Sequence, residues 1–389
     1  MPRLKVLFVT SSYPSRKNPA LGVFVQEHAK AVSLYNDVTV LCREVTDGSV
    51  GRIYEIADNV EYGLRTLRVR YRKFPIPKIS YLIYLWGMLS AFRKLVREEW
   101  RPDVIHAHFY VSGIPAVLIG KLYRIPVIIT EHSTAFPRGL VRGLKRIAAK
   151  FAFEHAAVVC PVSEDLRKHI ERLGVRARFH VVPNVVDTSL FSPPTARGAK
   201  EDGRKHLLVV ALLDPKKGIP YLLEALAQLR KKRDDFVLDI VGDGPNRAEY
   251  EELTRKLGLH DVVRFHGLKT KQEVAEFMKR CDIFVLPSLF ETFGVVLIEA
   301  LSCGKPVIAT DVGGPTEILT KEEVGKLVPP GNSQALAMAI DYMLDNYERY
   351  DPEVIASYVR SSYTYEAVGQ KLAAIYSVIT TVRARGKGV

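Results

Sequence analysis

Short apolar runs rich in Val and Ile return throughout the chain, separated by longer stretches with helical spacing. In the first half they read KVLFVT, DVTVLC, DVIHAHF, PVIITEH and AAVVCPVS. In the second they read HLLVVALL, FVLDIVGDG, VVRFHGL, DIFVLPS and PVIATDVGG. Unbroken runs of this kind suit strands covered on both faces, whereas a half-exposed strand alternates apolar with polar residues. Each half is therefore predicted to be a parallel sheet wrapped by helices, an α/β architecture. With 389 residues the chain is long enough for two such domains. The stretch SPPTARGAKEDGRK has Pro, Gly and charge but no apolar periodicity, and it reads as the connection between them. The expected organisation is a domain over 1–187, a linker over 188–205, a second domain over 206–362, and a final amphipathic helix and tail over 363–389.

Composition narrows the classes. Cys42, Cys160, Cys281 and Cys303 lack CxxC spacing, which points to buried apolar fillers in a reducing compartment rather than disulfides or a zinc framework. The opening MPRLKVLFVTSSYP carries no leader pattern, so a cytoplasmic protein is expected. The longest apolar stretch, ISYLIYLWGMLSAF, has 14 residues, too few to span a bilayer. The net charge of +13 is uneven: residues 1–190 hold 29 Lys and Arg against 16 Asp and Glu, while the rest is balanced at 27 of each.

In open parallel sheets ligands bind beyond the carboxyl ends of the strands, so the turns after the strands are where chemistry is sought. DIFVLPS is followed by LFETFG and then by VVLIEALSCG, a helical pattern closed by Gly304. Glu291 falls in the turn and Glu299 inside the helix. A helix opening near Gly294 or Val295 leaves the N–H groups of Phe293, Gly294 and Val295 without intrahelical partners, at the positive end of the macrodipole, which makes an anion site. Helical side chains lean toward the N-terminus, so Glu299 reaches a group bound there, and its two oxygens suit a vicinal diol such as a ribose. One capping Glu and one hydrogen-bonded core Glu would explain the same stretch structurally.

Other turns offer further candidates. Lys216 and Lys217 before Gly218 suit a phosphate, or are a solvated pair. Gly242 and Gly244 follow FVLDIV without the third glycine of the dinucleotide fingerprint, and no GxGxxG or P-loop occurs elsewhere, which disfavours a dehydrogenase or P-loop reading. Gly22 opens a helix after the first strand, and Glu131 and His132 follow PVIIT. His106 and His108 in HAH have no third His or carboxylate near them in sequence and read as lining rather than metal ligands. No Asp-x-Asp pair exists to hold a diphosphate through Mg²⁺ or Mn²⁺.

The stretch PSLFETFGVVLIEALSCGKPVIATDVGGPTEIL, with Lys217-Gly218, GDGP, the N-terminal GVF turn, VIHAHF and VVPNVVD, resembles the family 4 glycosyltransferases of the GT-B fold, and the likeness runs along nearly the whole chain. The resemblance implies two facing Rossmann-like domains with an interdomain cleft and a C-terminal crossover helix. It also implies transfer, with retention, of a sugar from a UDP- or GDP-sugar, with no cofactor and no metal. The donor would be held mainly by the second domain and the acceptor by the first. By the same resemblance His132 and Glu291 are the catalytic residues, Glu291 on a donor-sugar hydroxyl and His132 facing the transferring sugar. Glu299 would hold the ribose, and Thr292, Phe293, Gly294 and Val295 the sugar and phosphates. Lys217 would neutralise the diphosphate with Gly22 close to it, and Lys216, Gly242 and Gly244 are further donor candidates. The family often has Arg where this chain has Leu212, and usually Gly where it has Val185.

The basic excess falls in the half that the resemblance assigns to the acceptor. In LRTLRVRYRKFPIPKISYLIYLW, Arg65, Arg68, Arg70, Arg72, Lys73 and Lys78 precede an aromatic stretch. This suits contact with an anionic membrane on its cytoplasmic face and a lipid-linked or otherwise anionic acceptor, with no nucleic acid expected. Two other readings stay open from sequence: a nucleotide-sugar epimerase of the same fold, and a non-catalytic nucleotide-sugar or nucleic-acid binder.

Overall fold

A computed structural model describes residues 3–16, 18–46, 53–72, 74, 76–194 and 203–385. The chain runs β1 (Lys5–Thr10), α1 (Val23–Ser33), β2 (Asp37–Thr46), β3 (Tyr54–Glu61), β4 (Leu64–Arg72), α2 (Pro77–Arg97), β5 (Val104–His108), α3 (Tyr110–Tyr123), β6 (Val127–Glu131), α4 (Leu144–Glu154), β7 (Val158–Pro161) and α5 (Glu164–Glu171). It continues with β8 (Lys205–Val210), α6 (Ile219–Leu229), β9 (Phe236–Val241), α7 (Arg247–Lys256), β10 (Val263–Gly267), α8 (Lys271–Arg280), β11 (Ile283–Leu286), α9 (Val295–Ser302), β12 (Val307–Thr310), α10 (Gly313–Ile318), β13 (Gly325–Val328), α11 (Ser333–Asp345), α12 (Pro352–Arg360) and α13 (Tyr365–Arg385). Two compact units result. The first takes the chain up to Val185 and from Tyr365 onward, and the second is Val186–Thr364.

In the first unit seven strands lie in the order β3-β4-β2-β1-β5-β6-β7. All neighbours are parallel except the β3–β4 hairpin. That hairpin turns through Tyr62 and Gly63, both at positive φ, as a two-residue turn matching the strand twist requires. β1, β5 and β6 are buried along nearly their whole length, as the unbroken apolar runs demanded. One face of the sheet is covered by α1 and α13: Val25, Ala29 and Val32 of α1 share a core with Leu372 and Tyr376 of α13. Gly369 lets the two helices close, since a Cβ there would lie 2.3 Å from the Ala31 carbonyl oxygen.

Sequence reading passed over β3, β4 and β13. In β4 the arginines hide the alternation, yet Leu67, Val69 and Tyr71 are buried. Arg72 is exposed, but the other three arginines are not a free basic face. Arg65 pairs with Asp58 at 2.7 Å and with Glu98, Arg70 with Glu44 at 2.9 Å, and buried Arg68 with Glu61 and the Pro14 carbonyl. Lys73 and the Lys78 side chain lie outside the described residues.

The second unit is a six-stranded, wholly parallel sheet in the order β10-β9-β8-β11-β12-β13. The strand succession reverses between β8 and β11, and in the first unit between β1 and β5. A crevice opens at the carboxyl edge at such a reversal. The Pro-rich connection does not start as a free linker: Phe191 is fully buried in the second unit, its carbonyl accepts from the Ser302 hydroxyl at 2.6 Å, and Val186 bridges Thr364. Residues 195–202 of the expected linker, and 386–389 of the expected tail, lie outside the described residues. The four cysteines are buried thiols. Among the described residues no helix is long and apolar enough to cross a membrane.

Candidate active site

At the strand reversal of the second unit, the turn after β8 meets the turn after β11. Gly218 forces the contact: at φ 65° it caps α6, and a Cβ on it would stand 2.0 Å from the Pro287 carbonyl oxygen. The Leu289 amide donates to the Lys216 carbonyl at 2.7 Å, so Lys216 contributes its backbone to the joint. Across this joint the Lys217 ammonium meets a Glu291 carboxylate oxygen at 2.6 Å, both side chains mostly buried. The other Glu291 oxygen accepts from the Thr292 amide at 3.2 Å. An ion pair so placed holds a mobile cation and an acceptor-only carboxylate side by side.

Two helices start at this pair, α6 after Gly218 and α9 after Gly294, and neither is capped by a side chain. Gly294 takes φ 89°, which a residue with a side chain resists. Gly314 backs the same turn, because a Cβ there would lie 2.3 Å from the Phe293 Cα. The turn Thr292–Val295 is thus held by its neighbours' missing side chains, its amides beside the positive helix end. Glu299 sits on α9, buried at 8% exposure. Gly242 and Gly244 have a packing reason of their own: side chains there would run into the Ala211 and Leu213 carbonyl oxygens at 1.9 and 2.5 Å. Leu212, beside them, stands 55% exposed. Ser288, which sequence reading passed over, is fully buried beside Glu291 in the turn, and its hydroxyl has no partner among the described residues.

In the first unit, the turn after β1 ends in Gly22 at φ 70°, where a Cβ would meet the Ser12 carbonyl oxygen at 2.2 Å. Across the β1/β5 reversal, Phe109 adopts φ 69°, a strained value for a bulky residue. Glu131 compensates: one carboxylate oxygen accepts from Tyr110 N, the first residue of α3, and the other from His132 N and Ser133 N, all at 2.9 Å. Burial pushes its carboxyl up to about 7, against those three amides, which favour the ionised form.

His132 lies in a cluster that the sequence spacing concealed. Its Nε2 is 3.0 Å from His108 Nδ1, with the rings within 14° of coplanar and centroids 5.3 Å apart. That geometry is an edge-to-edge N–H···N hydrogen bond, in which one ring carries the proton and the other accepts it. His28, from the middle of α1, brings a third imidazole within 4.8 Å and bonds the Pro183 carbonyl through Nε2 at 3.1 Å. His106 is not lining either: it is fully buried, bonded to the Tyr376 hydroxyl of α13 at 2.6 Å and to Thr130 at 2.7 Å. Burial lowers the His28 pKa to about 4, against the Pro183 hydrogen bond and the Glu27 charge, and it holds His106, His108 and His132 well below the ordinary value, these three further depressed by imidazole neighbours. For His132 a hydrogen bond to the Asn184 side chain opposes the shift. All four are neutral near pH 7, so His132 can offer a hydrogen bond but not a positive charge. In His132 and His108, lone pair and N–H face each other, which suits a fixed tautomer rather than two ligands converging on one ion.

Residues 195–358 match the family model described as glycosyl transferases group 1, and residues 29–185 match a glycosyl transferase 4-like domain. The chain is 30% identical over 378 residues, 90% of its length and 92% of the relative's, to a Bacillus subtilis protein described as a putative teichuronic acid biosynthesis glycosyltransferase. It is a family 4 glycosyltransferase of the GT-B fold. A D-inositol 3-phosphate glycosyltransferase of Corynebacterium glutamicum is also 30% identical, over 84% of each chain. Among solved structures, Anabaena HepE in complex with UDP-glucose superposes with a TM-score of 0.76 at 22% identity, over 97% of this chain and all of that one. For this family 4 chain, the Lys217–Glu291 joint and the His132 cluster sit at the strand reversals of their two units.

Proposed function

We propose that this glycosyltransferase takes a sugar from a nucleoside-diphosphate sugar bound at the β8/β11 reversal and transfers it with retention, without a metal, to an anionic or lipid-linked acceptor. The observation that carries the reading is the Lys217–Glu291 pair between two uncapped helix starts. A diphosphate drawn to those helix ends competes with Glu291 for the Lys217 ammonium, and the freed carboxylate accepts a hydroxyl of the donor sugar. As the bond from the anomeric carbon to the phosphate oxygen breaks, its electron pair goes to the phosphate. Lys217 and the amides of Phe293, Gly294 and Val295 stabilise that negative charge. The acceptor oxygen bonds to the anomeric carbon on the same face, and its proton passes to the departing phosphate. Glu299 accepts from the ribose hydroxyls, and neutral His132 donates to the transferring sugar. With Leu212 where the family often has Arg, Lys217 and the amides hold more of the diphosphate.

Anabaena HepE, solved with UDP-glucose, supports a nucleotide-sugar donor, and the relative named for D-inositol 3-phosphate supports an anionic acceptor. The test is a thermal-shift screen of UDP-, GDP- and ADP-sugars. A ligand at about 100 times its Kd stabilises by roughly 2.7 kcal/mol, and Lys217→Ala should cut this to about 0.9 kcal/mol at the same ligand concentration. Donor shifts identical in wild type and Lys217→Ala, or epimerisation of a free nucleotide sugar with no acceptor present, would overturn the proposal.

A further inference from the structure

The segment between His132 and the body of α4 carries a surface that the fold itself leaves uncovered. α4 buries Ala149, Ala152 and Phe153 against the first unit, so its core-facing side is complete. Its first turn nevertheless presents a second apolar side: Leu144 is 82% exposed and Ile147 64%, with Leu140 at 49% just before the helix. Residues 136–150 contain Arg138, Arg142, Lys145, Arg146 and Lys150 and no acidic residue. Arg146 and Lys150 bond the Leu173 and Gly174 carbonyls, and Lys150 pairs with Glu154, leaving Arg142 and Lys145 as exposed cations beside this face. A helix with a satisfied inner face and a second apolar face flanked by such cations is built to lie on something apolar below and anionic at its rim.

We infer that Leu140, Leu144 and Ile147, with Arg142 and Lys145, form a docking surface for an anionic lipid bilayer, beside His132 at the carboxyl edge of the first unit. The inference rests on the lipid-linked form of the acceptor proposed above and locates the membrane contact. It also moves that contact away from β4, whose Arg65, Arg68 and Arg70 are held in ion pairs. A second helix carries side chains of the same kind: α2 exposes Ile79, Leu82 and Trp86, with the Arg93 guanidinium 6.0 Å from the indole centre. Both helices follow parallel strands, so both begin at the same edge of the sheet. Aliphatic side chains, an indole and cations suit an interfacial bed of lipid, whereas a nucleic acid would call for planar stacking groups in their place.

The test is flotation of the full chain with vesicles of phosphatidylglycerol and phosphatidylcholine, and with phosphatidylcholine alone. Wild type should float with the anionic vesicles, weakly with neutral ones, and less as salt rises. L144E/I147E should weaken binding at least roughly tenfold, and R142S/K145S by roughly fivefold per cation removed. These positions are exposed, so both variants should keep the wild-type melting temperature and nucleotide-sugar shift. Absence of wild-type flotation, or flotation unchanged in both variants, overturns the inference. So does self-association that L144E/I147E abolishes without any vesicle binding, which would assign the surface to a second copy. If flotation fails while the donor shift survives, the docking surface falls and the transferase reading stands; the reverse result separates them the other way.

Discussion

Acidification should unfold the first unit well before ordinary carboxylate protonation does, because four buried imidazoles must stay neutral there. The sign follows from linkage. A His whose folded pKa is depressed contributes stability that is complete above its unfolded pKa and is lost as pH falls toward the folded one. For His28 the window runs from 6.5 down to about 4. Between about pH 7.5 and about pH 5 this group alone removes about 2 kcal/mol. Glu131 acts oppositely: its folded pKa is raised to about 7, so the native state binds a proton first and gains about 2 kcal/mol over the same interval. The two cancel, leaving His106, His108 and His132, all shifted down, to set the net direction. The assay is selective, because both tryptophans, Trp86 and Trp100, belong to the first unit, so their fluorescence reports its urea midpoint alone. The midpoint should fall as pH drops. Glu131→Gln should steepen the fall by about 2 kcal/mol, and His28→Gln should reduce it by about the same amount. A midpoint that is flat or rises on acidification would refute the reasoning.

At the strand reversal of the second unit, Gly218→Ala combines left-handed backbone with a collision at Pro287 and should cost about 3 kcal/mol or more, measured by urea denaturation. Gly63→Ala, in the hairpin turn at φ 80° with nothing within 4 Å, should cost only about 1–2 kcal/mol. Lys217→Ala should weaken donor binding by about 2 kcal/mol, roughly thirtyfold in Kd by calorimetry. Glu291→Gln should spare Kd more than turnover, lowering kcat by about 10²-fold or more in a coupled nucleotide-release assay. Chelation with EDTA should leave nucleotide release unchanged, whereas a loss restored by Mg²⁺ or Mn²⁺ would contradict the metal-free reading.

The parts of the fold written in local pattern were legible. Unbroken runs such as KVLFVT and DIFVLPS declare strands covered on both faces, and they became β1 and β11. β4 was not legible, because its burial depends on partners far along the chain: Arg68 is an interior residue only once the Pro14 carbonyl, 54 positions away, accepts from its guanidinium. The same division holds at the candidate site. Turn positions identified Lys217, Gly294 and Glu291 one by one, but their convergence joins residues 74 positions apart. His28 gave no signal at all, since a His inside an amphipathic helix looks like any polar residue until the helix is docked. Glu131 was noticed only for its position after a strand. Its task, tying three amides beside the strained Phe109, is written in backbone geometry.

The last helix belongs to the first unit, and this sets an order of events at the ribosome. Leu372 and Tyr376 complete the core over β1, and the Tyr376 hydroxyl satisfies His106, yet they are made after every residue of the second unit. The second unit, a continuous segment, can finish folding while the first still lacks one of its walls. The N-terminal half therefore waits through the synthesis of the whole second unit with an apolar face uncovered, and the first domain to begin folding closes after the second is complete.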